Sequence, residues 1–464
     1  MVSPNVSRRS FLGAAATGMV TVQQSTSVAI EPEDNLLEPV LRMRDAQTCR
    51  PWAPRENLQP HCRRVNGKDG SALQVESNGS IGCHGGWEIW YNNITPGTAY
   101  RFCVTAHVSG TPHPVENISP EIYFFGQKSK HLDWQFVDAV ETLGDQIRFE
   151  KIVTVPSEAD RLAIRLILRW TAHGIVTFSN MSLTSAETQP GTQYRAAVAA
   201  GFPQQKTVDE NLATCLRVIR EAADNGAEFI VLPETITSWR AAGDYWDNAR
   251  PIPGKETDAL SDCARQQKIS IALSVVESVR DLVHNTGLIF GSNGEIQLKY
   301  RKLQLAVGER QSGMTPGDDL PVTHTDLGCL GMQICYDNTH GETLRVLAAK
   351  GAEVVAMPIM GDPRSAVRGN RFSREIWDMI MRMRALDNHV WFLVARNDGP
   401  GSCIVNPAGE IVATMGEGQH LIYADIDIGF RNWSWSGSDF LDRYWRERRP
   451  SAFGPVASTG FYPV

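Results

Sequence analysis

The spacing of apolar residues divides the chain into a first part built from strands and a second part that alternates strands with helices. In the first part, apolar and polar residues alternate over residues 100–108, directly after Pro96 and Gly97, and again over residues 162–170. A period of two is typical of strands with one buried face. Long helical periodicity is missing there, so we predict an antiparallel β-sandwich of the jelly-roll type.

The second part carries two capping boxes, and each predicted helix leads into a similar apolar strand. The boxes are formed by Thr207 with Glu210 and by Thr339 with Glu342, and the strands cover residues 226–233 and 351–358. A capping box marks the first turn of a helix. The second part is therefore predicted to contain two related helix–strand halves of an α/β fold.

With 464 residues, the chain is longer than one typical domain, and we predict four segments. They are an N-terminal signal and tail (1–36), a β-sandwich domain (37–188), a second domain (193–430) and a C-terminal extension (431–464). A stretch containing Pro190 and Gly191 forms the linker between the two domains. We expect the extension to pack on the second domain or on a partner subunit.

The charge balance argues against two classes of partner. The net charge is −7, and charged residues make up 21% of the chain. A mildly acidic chain of this composition offers no electrostatic basis for binding nucleic acid or an anionic membrane. A small molecule remains the expected partner.

The N-terminus has the pattern of an export signal. Arg8 and Arg9 precede Phe11 and Leu12, and a weakly apolar run follows to residue 22. That run is too short to span a membrane. The segment resembles the bacterial twin-arginine signal, which implies a periplasmic or extracellular protein. The alternative is a plain N-terminal tail.

The nine cysteines leave several interpretations open. Cys49, Cys62, Cys83 and Cys103 precede residue 110 and could pair in an oxidising compartment, with three connectivities that the sequence does not distinguish. Buried free thiols fit equally well. Because C-x-x-C spacing is missing, no metal is predicted.

Three strand ends carry candidate chemistry. The apolar segment 330–334 leads into Cys335, and the apolar segment 228–233 leads into Glu234. In residues 296–302 the period of two turns Lys302 inward, away from the side of Lys299 and Arg301. A buried lysine needs a carboxylate partner or a chemical role. Glu234, Lys302 and Cys335 are therefore the predicted catalytic residues.

In this chain order, the three residues resemble the carbon–nitrogen hydrolase (nitrilase) superfamily. Further motifs of that family occur in the family's order at residues 284–287, 293–295, 299–302, 315–318, 383–388 and 406–410. Glu309 stands in the place of the family's second glutamate; otherwise it would be a solvated loop carboxylate. The resemblance covers roughly residues 193–430. It implies a four-layer α-β-β-α sandwich, no cofactor and a homo-oligomer.

The resemblance also implies a mechanism. Cys335 would attack the substrate carbon, with Glu234 as proton acceptor and with help from the positive end of the helix expected near His340. Lys302 and the backbone N–H of Tyr336 would stabilise the oxyanion, and Glu309 would orient the lysine. Water would then hydrolyse the acyl-thioester.

The residues after the nucleophile narrow the reaction. Cys335-Tyr336-Asp337 is closer to the family's amidases than to its nitrilases, which usually carry Cys-Trp-Glu. We therefore expect an amide or N-carbamoyl substrate, with nitrile hydrolysis as the alternative. A Cys-His-Asp triad with Asp337 and His340 is disfavoured, because these positions do not turn back easily to the cysteine. An arginine group could grip an anionic substrate or face solvent: Arg364, Arg368 and Arg371.

The first domain looks like carbohydrate-binding jelly rolls. Trp87, Trp90 and Trp134 are candidate platforms for stacking sugar rings, and the alternative is that they belong to the core. This leaves a second class of function. In that hypothesis, the chain is a cell-surface glycan-binding protein and the hydrolase-like domain is a scaffold.

Overall fold

The computed structural model describes residues 49–67, 70–92, 94–187, 192–202, 207–360, 374–430 and 447–453. The predicted export signal and the group Arg364, Arg368 and Arg371 lie outside the described residues. In the part that is described, no helix has the length and apolar character needed to cross a membrane.

Strands of the first part form two antiparallel sheets. They are β1 (Cys49–Trp52), β2 (His61–Gly67), β3 (Gly70–Glu76), β4 (His84–Tyr91), β5 (Ala99–Ser109), β6 (Ile118–Phe125), β7 (His131–Phe136), β8 (Asp138–Leu143), β9 (Gln146–Thr154), β10 (Arg161–Arg169) and β11 (Ile175–Ala186), with the short helix α1 (Pro114–Asn117). The order β1-β4-β10-β6-β7 makes a five-stranded sheet, and β2-β3-β11-β5-β9-β8 makes a six-stranded sheet. Apolar side chains from both sheets meet in one core that includes Phe102, Phe124 and Leu166.

Strands of the second part form two further sheets. They are β12 (Gln193–Ala199), β13 (Phe229–Val231), β14 (Ser270–Val279), β15 (Leu282–Phe290), β16 (Ile296–Arg301), β17 (Val322–Thr325), β18 (Gly328–Met332), β19 (Val354–Ile359), β20 (Trp391–Arg396), β21 (Cys403–Val405), β22 (Ile411–Thr414) and β23 (Leu421–Asp427). The third sheet has the order β16-β15-β14-β13-β12-β23, and the fourth has the order β17-β18-β19-β20-β21-β22. Strands β12, β13 and β14 are parallel, as are β18, β19 and β20.

Helices of the second part lie beside these sheets. They are α2 (Val208–Asp224), α3 (Tyr245–Asn248), α4 (Lys255–Gln267), α5 (Val307–Gln311), α6 (Gly341–Ala349) and α7 (Arg374–Asn388). Val198 and Val231 of the third sheet share a core with Met332 of the fourth. Ala197 points to the other side and packs with α2 and α4. The predicted mixed α/β class is confirmed.

The two predicted capping boxes have different outcomes. Thr207 caps α2, and Glu210 completes the box as predicted. The box at Thr339 is wrong, because α6 starts after His340 and no side chain caps it. A 3₁₀ helix, Cys335–Thr339, comes first. Asp337 accepts a hydrogen bond from the Ile334 N–H at 2.8 Å, so the chain already turns at the end of β18.

The described part of the C-terminal extension contacts the first part of the molecule. Ser451 donates to the Glu116 carboxylate through its N–H (2.9 Å) and its hydroxyl (3.0 Å). Arg449 lies over the ring of Trp170 at 5.8 Å. The described residues 447–453 therefore contact the first part of the molecule, and the packing of the extension on the second domain or on a partner subunit stays a prediction.

The structure has Cys49, Cys62, Cys83 and Cys103 as free thiols. Burial raises the pKa of the Cys62 thiol to about 12, and the neighbouring Cys83 and Cys49 add to that increase. The Cys62 thiol is therefore protonated at neutral pH, which is typical of packed, unreactive cysteines.

Candidate active site

Strand ends from the two sheets of the second part bring the predicted catalytic side chains together. Glu234 follows β13 and Lys302 follows β16 in the third sheet, and Cys335 follows β18 in the fourth. Glu234 is 2% exposed and Lys302 is 1% exposed. The prediction that Lys302 points inward is therefore confirmed. The positive charge of a lysine buried in this way must be compensated by nearby negative charge.

Two carboxylates compensate Lys302. Its Nζ donates to Glu234 Oε1 at 2.8 Å and to Glu309 Oε2 at 2.7 Å. Glu309 lies in the first turn of α5 and is 6% exposed, so its interpretation as a solvated loop carboxylate is wrong. Charge-assisted hydrogen bonds of this length fix the ammonium relative to both acids.

Asn285 of β15 closes these contacts into a ring. Its Nδ2 donates to Glu234 Oε1 and to Glu309 Oε1, both at 2.8 Å. The backbone carbonyl oxygen of Asn285 also accepts a hydrogen bond from the backbone N–H of Lys302 at 2.8 Å. Asn285 is 1% exposed, so the whole ring lies inside the protein.

The second carboxylate oxygen of Glu234 faces the fourth sheet. Oε2 accepts from the Met360 N–H at 2.6 Å, and this carboxylate lies close enough to the Cys335 thiol to raise the pKa of that thiol. Asn397 holds the backbone of Glu234 by donating to its carbonyl oxygen at 3.0 Å. Glu234 is thus held at Oε1 by Asn285 and Lys302 and at Oε2 by the Met360 N–H.

Cys335 has an unusual backbone conformation. Its φ is +46°, in the left-handed region that is costly for any residue with a Cβ. Asp337 stabilises this sharp turn by accepting from the Gln304 N–H (2.7 Å) and from the Tyr300 hydroxyl (2.6 Å). The turn opens the 3₁₀ helix at Cys335, where the leading N–H groups, including that of Tyr336, have no intrahelical partner.

Burial and charge set the protonation of the two central groups. Burial raises the pKa of the Cys335 thiol, the Glu234 charge raises it further, and Lys302 lowers it only in part. For Lys302, burial alone would lower the pKa, but the charges of Glu234 and Glu309 outweigh it and raise the pKa. The resting site therefore holds a neutral thiol beside a charged lysine, and the thiol needs a base when it attacks.

The other residues considered as possible catalytic groups have structural roles or lie outside the site. Asp337 is fully buried and bonded to Tyr300, and burial raises its pKa, so it serves the turn and is not a triad member. His340 contacts the ring of Tyr336 at 5.7 Å. Cys329 and Cys403 are buried packing residues.

Two residues near the catalytic groups were given no role from the sequence. Asn285 lies in the family motif at residues 284–287. Because β15 is buried on both faces, the sequence pattern does not show to which side the Asn285 side chain points. Tyr245 on α3 is the other. Burial, together with the charges of Glu234 and Glu309, raises its pKa to about 12. Its phenol is therefore neutral and close to the acids, and no sequence signal indicates this.

The three tryptophans of the first part separate into two groups. Trp87 is 4% exposed, lies in the core and donates to the Gln74 carbonyl at 3.0 Å, so its predicted role as a platform is wrong. Trp90 and Trp134 lie on the opposite face of the five-stranded sheet, in one cross-strand row with Tyr123. The rings of Tyr123 and Trp134 are stacked at 5.9 Å.

A charged cluster lies beside this aromatic row. Glu88 is 1% exposed and accepts from the Trp90 indole at 2.8 Å. It also accepts from Arg50 and Arg165, each at 3.0 Å. In the described residues, no group of three or more His, Cys, Asp or Glu side chains could hold a metal ion.

Comparison with known proteins gives consistent matches for the second part. The carbon-nitrogen hydrolase family profile matches residues 195–432. Omega-amidase NIT2 of Homo sapiens is 30% identical over 237 residues, covering 47% of this chain and 83% of the relative. The chloroplastic omega-amidase of Arabidopsis thaliana is 30% identical and covers 47% of this chain and 63% of the relative. The solved structure of an amidase from Nesterenkonia sp. matches at 21% identity and a TM-score of 0.47, over 58% of this chain and 99% of that one.

Proposed function

This chain belongs to the carbon–nitrogen hydrolase family and is an amidase-type enzyme acting on C–N bonds other than peptide bonds, and we propose that it hydrolyses a small amide or N-carbamoyl compound. The observation that carries the proposal is the pair of contacts from Lys302 to Glu234 and Glu309 beside Cys335. The omega-amidase names of its relatives support an amide over a nitrile. Nitrile hydrolysis at the same site is the alternative.

In the proposed first half-reaction, the thiol becomes covalently attached to the substrate. Glu234 takes the proton of Cys335 as Sγ bonds to the carbonyl carbon, and the C=O electron pair moves to the oxygen. The Lys302 ammonium and the Tyr336 N–H stabilise that oxyanion. Glu234 then gives its proton to the nitrogen, the C–N bond breaks, and ammonia or an amine leaves an acyl-thioester.

In the second half-reaction, water replaces the departed amine. Glu234 takes a proton from the water as its oxygen bonds to the thioester carbon. The C–S bond then breaks, and the electron pair returns to Sγ, which recovers the proton from Glu234. The product is released as a carboxylic acid, which gives its remaining proton to the solvent and becomes a carboxylate. Glu309 holds Lys302 in the position where one N–H can face the substrate oxygen.

Intact-mass and ammonia measurements test this proposal. A panel of short amides, N-carbamoyl compounds and nitriles is incubated with the full chain, and ammonia is measured. We expect turnover of at least one amide or N-carbamoyl compound and a covalent acyl adduct on the wild-type chain. Cys335→Ala should lose both, whereas Cys329→Ala, a buried thiol outside the site, should keep both. Ammonia release that is unchanged in Cys335→Ala would refute the proposal.

We further propose the finer architecture that the sequence predicted. The second domain would be a four-layer α-β-β-α sandwich, and the first a jelly-roll-like β-sandwich. The protein would be exported by the twin-arginine route and would form a homo-oligomer. Exposed apolar side chains on α7, Met379 at 55% and Met383 at 43%, support association of copies. Light scattering and cell fractionation test the last two points.

The aromatic row of the five-stranded sheet favours a second function, binding of carbohydrate. Trp90, Tyr123 and Trp134 form a row of rings beside the Glu88 cluster. Rings next to hydrogen-bonding groups suit sugars, which present apolar C–H faces and polar hydroxyl edges. In this proposal, the first domain attaches the enzyme to a glycan surface.

Pull-down on insoluble polysaccharides and a glycan array with the full chain test this second function. Trp90→Ala and Trp134→Ala should each abolish binding. Trp246→Ala is the matched control, because Trp246 is 46% exposed on α3, outside the first domain. If the wild-type chain binds no glycan, or if the control loses binding equally, carbohydrate binding by this face is wrong.

A further inference from the structure

Tyr245 lies on an apolar patch beside the buried ring of Lys302, Glu234, Glu309 and Asn285. The patch consists of four buried side chains: Val276, Val283, Leu305 and Met314. Val276 of β14 lies directly opposite Asn285 of β15, so both side chains point to the same face of the third sheet. The Met314 N–H donates to the carbonyl oxygen of Glu309 at 3.1 Å. The patch under Tyr245 is therefore continuous with the ring.

Helix α3 holds Tyr245 in a fixed place, although the helix has only four residues. Asp244 caps it by accepting from the N–H groups of Trp246 (2.7 Å) and Asp247 (3.1 Å). The indole of Trp246 also donates to the carbonyl oxygen of Ser312, directly after α5, at 2.9 Å. A segment bound at its start and on its outer side keeps the tyrosine ring against the patch, as a binding site requires.

The Tyr245 hydroxyl lies within electrostatic range of the reacting groups. Four of them act on the phenol: Glu234, Glu309, Lys302 and Cys335. Within the part of the chain that the structure describes, the hydroxyl has no hydrogen-bond partner. A neutral phenol can both donate and accept. The site therefore contains a polar group, next to the reacting atoms, whose hydrogen bonding the protein leaves unused.

A substrate that fills the site changes the surroundings of this hydroxyl. It displaces water from the apolar patch, and a hydroxyl left without a partner then costs free energy. In a primary amide, the nitrogen already faces Glu234, and the carbonyl oxygen faces Lys302 and the Tyr336 N–H in the proposed reaction. The atom that pairs with Tyr245 must then belong to the acyl part of the substrate.

We propose that Tyr245 is a specificity-determining residue that hydrogen-bonds the acyl part of the substrate and so favours compounds with a polar atom close to the reacting carbonyl. This inference rests on the proposed function for its role in turnover. An aliphatic acyl chain leaves the hydroxyl unpaired, whereas an N–H or an ether or carbonyl oxygen pairs with it. Sites built around such a group discriminate strongly against substrates that lack the partner.

Two pairs of isosteric substrates test this with the full chain. In N-methylurea, an N–H replaces the CH₂ next to the carbonyl of propionamide. In methoxyacetamide, an oxygen replaces the following CH₂ of butyramide. Ammonia release gives kcat and KM for wild type and for Tyr245→Phe, which removes only the hydroxyl. Comparing the polar-to-apolar ratio of kcat/KM between the two enzymes cancels the intrinsic reactivity of each compound.

Tyr423→Phe is the matched control. Tyr423 is a partly exposed tyrosine of β23, outside the site, and its ring packs under Arg195 at 4.9 Å. Removing its hydroxyl should leave the ratio of both pairs unchanged.

Tyr245→Phe should lower the polar-to-apolar ratio about tenfold for at least one pair, the usual size for the loss of one hydrogen bond to a substrate. The drop should come mainly from a higher KM of the polar compound, with kcat/KM of the apolar compound within a few-fold of wild type. A ratio that is unchanged for both pairs would overturn the inference, as would an equal drop in Tyr423→Phe.

Protection of Cys335 from iodoacetamide by the same four compounds is a readout that needs no turnover. The Cys335 adduct is followed by intact mass and identified by its absence from Cys335→Ala. The polar member of a pair should protect wild type at lower concentration than the apolar member, and Tyr245→Phe should lose that difference. If no compound is hydrolysed but this difference is seen, the proposed function fails and the role of Tyr245 in binding stands. If wild type shows neither turnover nor a difference in protection, both are wrong.

Discussion

Two charge clusters lie on opposite faces of the third sheet, and neighbouring residues divide between them. Lys302 and Asn285 point to Glu234 and Glu309, with which they form a closed set of hydrogen bonds, the catalytic ring. Arg301 and Thr286 point to the carboxylate of Glu277 on β14. Lys299 joins Arg301 on Glu277. Alternation along β15 and β16 thus builds two ionic groups from two pairs of adjacent residues.

The two clusters have opposite balances of charge. Glu277 is one fully buried carboxylate with two cations whose side chains are 35% and 36% exposed. Burial alone would raise its pKa, but hydrogen bonds from Arg301, Lys299 and Thr286 outweigh burial and hold the pKa at about 2. The catalytic ring has two carboxylates, one sealed lysine and a thiol. The two cations keep the Glu277 carboxylate ionised. In the catalytic ring, the neutral Cys335 thiol still has a proton that it can give up.

The largest expected effect is the difference in kcat/KM between substitutions of Lys302 and Lys299. Lys302→Met should lower kcat/KM by about a thousandfold, since an oxyanion donor is lost and two buried acids lose their cation. Lys299→Met should stay within a few-fold of wild type, because Lys299 touches only Glu277 in the described contacts. Steady-state kinetics on the same amide measure both variants. Comparable losses in the two would contradict the division into a catalytic and a structural cluster.

The next effect concerns stability and its pH dependence. Glu277→Gln should lower the free energy of unfolding at pH 7 by about 2 kcal/mol, with kcat/KM nearly unchanged. The folded pKa of Glu277, about 2, lies below its ordinary value, so the ionised cluster stabilises the fold above about pH 4.5 and loses that effect as pH falls towards 2.

Urea unfolding at pH 7, 5 and 3 measures this pH dependence. The difference between wild type and Glu277→Gln should shrink at the lowest pH. If the difference grew as the pH fell, the assigned ionisation of Glu277 would be wrong.

A smaller effect tests the link between the third sheet and the nucleophile turn. Tyr300→Phe removes the hydroxyl that donates to Asp337 at 2.6 Å and accepts from the Leu303 N–H at 3.0 Å. Because Asp337 keeps part of its hydrogen bonding, we expect a loss of about 1–2 kcal/mol in stability and a drop of up to about tenfold in kcat. Unfolding and steady-state kinetics measure the two. An unchanged kcat would mean that the turn at Cys335 does not depend on this contact.

The sequence predicted the residues whose direction follows from a simple period. Lys302 was placed inward by alternation along β16, and Glu234 and Cys335 were placed by the ends of apolar strands. The same rule, applied around the charged Glu88, would have put Trp87 in the core, since adjacent residues of a strand face opposite sides. The aromatic side chain of Trp87 favoured the interpretation as a sugar-stacking platform over burial in the core.

Other features depend on contacts between distant segments. The capping pattern at Thr339 is local, but the true turn is set by Asp337 binding Gln304 and Tyr300 from another part of the chain. Asn285 lies in a strand buried on both faces, so its polarity shows that it has a partner but not which one. Tyr245 reaches the acids from the four-residue helix α3, which has no periodicity to interpret.

The smallest expected effect compares the neighbours Asn285 and Thr286. Thr286→Val is nearly isosteric and removes the hydroxyl that donates to Glu277 Oε2 at 2.7 Å. Two cations still hold Glu277, so the stability loss should be only about 1 kcal/mol. The kcat/KM of Thr286→Val should stay within a few-fold of wild type, whereas Asn285→Leu removes the donor to both Glu234 and Glu309 and should lower kcat/KM further. A loss of kcat/KM in Thr286→Val as large as that in Asn285→Leu would mean that the sheet couples the two clusters.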